Sequence, residues 1–183
     1  MAVLALGLGA CATAAPPQPG PVAFANAAQV RFDAAEVQFV DNYRPTLAPP
    51  NVEHQFNQTP AAAVRDWTRA RLAAAGASGV VRVIVHDASV VEVKLPTRPG
   101  FGGLLYDEQD TRYDGALEVS IEYSGQGRTA QTRSRVVRTQ TLPESATLNQ
   151  RTQVYSQLMQ GLMDDFDRQM QAGIRQYMGA VIR

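Results

Sequence analysis

The cleanest alternation in the chain runs from Tyr113 to Tyr123. Tyr113, Leu117, Val119, Ile121 and Tyr123 share one parity, and Asp114, Glu118, Ser120 and Glu122 the other. A period of two with one apolar parity describes a strand with one wet face. Gly125-Gln126-Gly127 supplies a tight turn into a second strand over 129–142. A two-residue loop would there pair positions whose numbers sum to 251, placing Glu118 opposite Arg133, Val119 opposite Thr132 and Leu117 opposite Ser134. The match of charges supports that register. Upstream, the odd positions Val81, Val83, Val85, Val91, Val93 and Leu95 share a face, interrupted by Asp87 and Ser89. This predicts one long strand over 80–95 with a bulge or bend near His86 to Ser89. Within 30–42, Val37 and Phe39 alternate with Glu36 and Gln38 as a first strand.

Two stretches carry the helical period instead. Thr59 is placed to cap a helix with Pro60 at its first position, and alanine propensity carries it to a stop at Gly76. Its buried stripe is Val64, Trp67, Ala70 and Ala74, with Arg65, Asp66 and Arg69 in water. After Pro143, Thr147 caps a last helix of about 30 residues, roughly 45 Å long. Tyr155, Leu158, Leu162, Phe166, Met170, Ile174 and Tyr177 recur at steps of three or four, and Met159 and Met163 widen the stripe. Gln153, Gln157, Gln160, Asp164, Asp167 and Gln171 form the opposite face. The order β-α-β-β-β-α predicts an α+β fold: a four-stranded, largely antiparallel sheet with both helices packed on one face. Between the first strand and the first helix, residues 43–56 form a proline-rich loop long enough to be suspected of a role.

The N-terminus follows neither period. Residues 2–10 are uniformly apolar, the length of a signal-peptide core and far short of the roughly 20 residues that span a bilayer. They end in Cys11, the only cysteine. Leu8-Gly9-Ala10-Cys11 resembles the lipobox of bacterial lipoproteins. That resemblance implies removal of residues 1–10, acylation of Cys11, and a lipid anchor, since stable anchoring takes more than one chain. Ala12 after the cysteine, by the same resemblance, implies the outer membrane on its periplasmic face, with the inner membrane as the other address. Residues 12–22, small and proline-rich, read as an extended tether reaching some 30 Å at about 3 Å per residue. The expected organisation is therefore a signal peptide over 1–10, anchor and tether over 11–28, and one periplasmic domain over 29–183.

Composition narrows the function. Lys plus Arg and Asp plus Glu are both 17, so no basic excess is left to neutralise phosphates, and nucleic acid is not an expected partner. With Cys11 committed to lipid, no disulfide, thiol nucleophile or cysteine-based metal site forms within one chain. His54 beside Glu53, and His86 beside Asp87, lack ligand spacing. Ser89 stands three residues from His86 on a strand, so the two point to opposite faces and cannot act as base and nucleophile. Pro99-Gly100-Phe101-Gly102-Gly103 lacks the following Lys-Ser/Thr of a phosphate loop. Asp164, Asp165 and Asp167 read as a solvated helix face. No metal, cofactor or catalytic residue is expected, and the chain reads as non-enzymatic.

The remaining feature is the loop 96–112, where Phe101, Leu104, Leu105 and Tyr106 lie among glycines and acids. Such residues either fold back over the sheet end or dock a partner. Element order, length and lipobox together resemble the periplasmic lipoproteins that serve as auxiliary subunits of envelope transport, including lipopolysaccharide-assembly and ABC-transport auxiliary lipoproteins. The resemblance implies an accessory docking subunit with an envelope protein partner. The alternative is a carrier or sensor holding a lipid between helices and sheet, lined by Met159, Met163, Met170 and Met178.

Overall fold

The computed structural model describes residues 20–24, 28–96 and 109–183. In chain order the elements are β1 (Val30–Phe32), β2 (Glu36–Asp41), α1 (Pro60–Arg71), β3 (Leu72–Ala74), β4 (Val80–Asp87), β5 (Val90–Lys94), β6 (Gln109–Gly125), β7 (Arg128–Pro143) and α2 (Leu148–Tyr177). The central strand β6 pairs with β7 along one edge and with both β4 and β5 along the other, while β2 adds parallel to β4. The five strands thus occupy four tracks. The fold is α+β, its sheet largely antiparallel, as the pattern of periods predicts.

Both helices cover one face of this sheet. Val81, Val83, Val85, Leu117, Val119 and Ile121 are fully buried there with Trp67 from α1 and Leu158, Leu162, Phe166 and Met170 from α2. Each such side chain contributes on the order of 1.5–3 kcal/mol when removed from water. Trp67 meets Phe166 edge to face at 4.9 Å. Small residues let α2 settle on β7: a side chain on Gly161 would run into Arg138, and one on Gly173 into Thr132.

The hairpin register differs from the expected one. Partners across β6 and β7 sum to 253, so Glu118 lies opposite Arg135, Val119 opposite Ser134 and Leu117 opposite Val136. The loop is Gln126-Gly127, with φ of +52° and +70°. Positive φ at both central residues is the type I′ geometry whose twist matches the strands. The shift is by two residues, so every side chain keeps its face. Glu118 still reaches both Arg133 and Arg135.

The strand over 80–95 is bent where expected, but the bend inverts parity. Val85 pairs with Val119 and Asp87 with Glu118, leaving His86 as the extra residue of a bulge. Beyond it Val90 enters the core, whereas Val91 and Val93 lie half-buried with the opposite parity. These two valines therefore do not continue the face of Val81 to Val85.

Three helix assignments are corrected. Helix α1 stops at Arg71, not Gly76, because Leu72–Ala74 pairs parallel with β1 in a separate two-stranded sheet, burying Leu72 and leaving Ala74 exposed. Gly76 serves a close approach instead. Its N–H donates to Ala34, and any side chain would strike the Asp33 backbone. On α2, Tyr177 is exposed and Met178 is buried in its place. Asp167, expected on the wet face, accepts from Trp67 Nε1 at 2.7 Å and Arg71 at 2.6 Å, fastening the two helices together.

Candidate functional site

Cys11, Phe101, Leu104, Leu105 and Tyr106 lie outside the described residues. What the structure places is the ground on either side of them. Gly20, where the described chain begins, sits with Pro21 and Val22 in a groove of about 610 Å³ against the first turns of α2. Val22 N–H donates to Gln58 Oε1 at 3.0 Å, which ties the tether end to the domain. Phe56, Tyr155 and Met159 supply the apolar wall, and Leu148, 82% exposed, stands at its rim.

The start of α2 is set by sequence. Thr147 accepts from the Gln150 N–H, and the Gln150 side chain reaches back to the Thr147 N–H, a reciprocal capping box. That fixes Arg151 and Tyr155 over the ends of the sheet. Tyr155 stacks on Phe56 at 4.1 Å and meets Tyr113 edge-on at 5.0 Å. Arg151 donates to the Tyr113 hydroxyl at 2.8 Å and pairs with Glu92 at 3.6 Å. Burial pushes the Tyr113 phenol well above its ordinary range, and its contact with Tyr155 adds to the rise.

Glu92 and Tyr113 are register partners on β5 and β6. Two residues further along, Lys94 pairs with Thr111, and Leu95 N–H donates to Asp110 C=O at 2.7 Å. Lys94 Nζ also donates to Thr111 Oγ1. The loop 97–108 therefore springs from a zipped pair of stems, and Arg151 links those stems to the groove that receives the tether. The tether's end and the loop's base share one end of the domain.

The proline-rich loop 43–56 is held by a buried carboxylate. Glu53 is 2% exposed and accepts from Tyr43 Oη at 2.7 Å, Asn51 Nδ2 at 3.4 Å and Val90 N–H at 3.3 Å. Burial and then the Glu53 hydrogen bond raise the Tyr43 phenol. Val52 N–H donates to Val90 C=O and Glu92 N–H to Pro50 C=O, so this loop covers the free edge of β5. Sequence reasoning missed Glu53. Its only signal was an acid between Val52 and His54 in a stretch of prolines.

The other chemical candidates are dispersed. His54 is exposed in its loop, while His86 Nε2 lies 2.8 Å from Ser120 Oγ on the wet face. Ser89 turns its N–H to Asp87 Oδ1 at 3.1 Å. Asp164 accepts from Gln160, Asp165 pairs with Arg138 and Arg168, and Asp167 joins the helices. Among the described residues, no group of three or more His, Cys, Asp or Glu is placed to hold a metal. Met163, Met170 and Met178 are packed in the core, whereas Met159 reaches the groove. No helix among the described residues is long and apolar enough to cross a membrane.

No protein-family model and no curated protein matches the sequence. Among solved structures, the chain is similar to the rare lipoprotein B of Shewanella oneidensis, at 13% identity and a TM-score of 0.40, covering 75% of this chain and 92% of that one. It is also similar to a Xanthomonas campestris protein of the family DUF330, at 13% identity and a TM-score of 0.33, covering 80% and 85%.

Proposed function

We propose that this chain is a lipid-anchored, non-enzymatic lipoprotein of the cell envelope that docks a partner protein through the loop 97–108. The observation that supports it most is geometric. The tether end at Gly20–Val22 and the stems at Lys94 and Thr111 sit at one end of the domain, joined through Arg151. With Cys11 acylated, that end faces the bilayer, and a loop bearing Phe101, Leu104, Leu105 and Tyr106 meets whatever protein stands beside the anchor. Burying an aromatic and two leucines contributes on the order of 1.5–3 kcal/mol each, enough for the hot spot of a small interface.

The test combines two variants in intact cells. Cys11→Ser should leave the domain folded while releasing it from the membrane or leaving residues 1–10 uncleaved, and fractionation of the unmutated chain assigns it to the outer or the inner membrane. Phe101→Ser with Leu105→Ser should keep the melting temperature while losing the crosslinked partner. An unmutated chain extracted without detergent would refute the anchor. A fall in melting temperature with the crosslinked partner retained would show that the loop folds back as a lid.

A further inference from the structure

The sheet has a second surface at its β7 edge. β7 pairs with β6 along its whole length, and among the described residues no strand pairs with its other edge. In a hairpin closed by the Gln126-Gly127 turn, Gly125 and Arg128 form a hydrogen-bonded pair, and such pairs then alternate along the ladder. The even residues of β7 are thus bonded to β6. The N–H and C=O groups of Thr129, Gln131, Arg133, Arg135, Val137, Thr139 and Thr141 point to the open edge. These alternate positions span roughly 40 Å at 3.4 Å per residue.

Open edges are normally blunted by shortness, proline, bulges or a covering segment. The β2 edge is six residues long, and β5 is covered by residues 50–52. Among the described residues the β7 edge has no shortness, proline, bulge or covering segment before Pro143, since its only register irregularity lies between Gln109 and Thr111, and of the usual guards it keeps charge alone. What it carries is positive charge. On the wet face Arg133 and Arg135 share one carboxylate, Glu118, and on the helix face Arg138 and Arg168 share one carboxylate, Asp165. Glu122 also lies on the wet face, opposite Gln131, yet Arg133 and Arg135 stay 59% and 67% exposed, so both guanidiniums remain open to a partner's carboxylates.

We propose that the β7 edge takes an extended, acidic segment of a partner protein by strand addition, antiparallel or parallel to Gln131–Thr141. Main-chain bonds would supply the binding, and carboxylates set against Arg133 and Arg135 the selectivity. The same arginines oppose a second copy of β7, since self-pairing brings like charges together in the registers centred near Ser134. This proposal is argued from residues 129–141 alone, so it stands or falls separately from the docking reading above.

The test uses the full chain and a capped ten-residue peptide of alternating Thr and Glu. Amide exchange followed by NMR should show the Arg133, Arg135 and Val137 N–H groups gaining at least tenfold protection on binding. Affinity should fall at least tenfold for the peptide with Lys in place of Glu, for the peptide N-methylated at alternate residues, and for the Arg133→Gln, Arg135→Gln variant at unchanged melting temperature. Three results would overturn the proposal. One is equal binding by the lysine or the N-methylated peptide. Another is no gain of protection at those amides. The third is their protection in the free chain, either as a monomer or, by sedimentation, as a β7-paired dimer.

Discussion

Asp167 joins the two helices through a pair of short hydrogen bonds, from Trp67 Nε1 and from Arg71. Removing a half-buried charged acceptor strands two donors, and such groups cost about 1.5–3 kcal/mol when hydrogen bonds to charge are lost. Asp167→Ala should therefore lower stability by about 2–3 kcal/mol, a fall of roughly 4–12 °C in Tm for a domain of this size. Asp167→Asn, which keeps an acceptor, should cost less. Urea melts followed by Trp67 fluorescence check both. Tyr113 gives a second prediction. Its folded phenol titrates above the unfolded one, so above pH of about 10 the unfolded chain loses this proton while the folded chain keeps it. The unfolded state then binds fewer protons, and stability falls with rising pH by up to about 1.4 kcal/mol per pH unit from this group. Tyr113→Phe should lower stability at neutral pH, where it loses the Arg151 contact, yet flatten the alkaline limb. Equal slopes for the two chains between pH 10 and 11.5 would contradict this.

At the scale of elements, the hairpin turn and the helix seat on β7 can each be separated from general packing. Gly127 has φ of +70° and open space where a side chain would be, so Gly127→Ala tests backbone conformation alone. It should cost about 1–2 kcal/mol, and Gln126→Asn, a residue better suited to positive φ, should be neutral or stabilising. For the helix, Gly173→Ala would gain about 1 kcal/mol of intrinsic propensity in an isolated peptide. Here the new methyl meets Thr132 Oγ1, on a stiff β-branched side chain, and net destabilisation is expected. Thr132→Ala should relieve that cost. A double-mutant cycle with no coupling between the two positions would show that α2 is not seated there.

Across the whole molecule, Lys94 and Thr111 are already paired at the base of the loop 97–108, so the sheet is not expected to need that loop. Replacing residues 97–108 by an Asn-Gly turn should leave the melting temperature unchanged or raise it, since a shorter loop costs less closure entropy. A cooperative loss of structure in that variant, followed by circular dichroism, would show that the domain needs the loop for its core. The groove at the start of α2 belongs to the same end, so one face of the molecule gathers tether, loop stems and the exposed Leu148.

The sequence by itself determined the periods, and with them the elements. Alternation in β6, the caps at Thr59 and Thr147, and the apolar stripe of α2 are local properties, and the chain folds as they prescribe. It also prescribed that the strand over 80–95 would bend. Tertiary structure decided whatever depends on which distant backbone comes alongside. Leu72–Ala74 left the helix because β1 offered pairing and the core received Leu72, a gain that alanine propensity could not match. The hairpin slid by two residues because the twist favoured a turn with two positive φ values, which preserves every face and is invisible to periodicity. Glu53, Asp167 and Asp165 acquired Val90, Trp67 and Arg138 from 37, 100 and 27 residues away, contacts that follow from packing and from no local pattern.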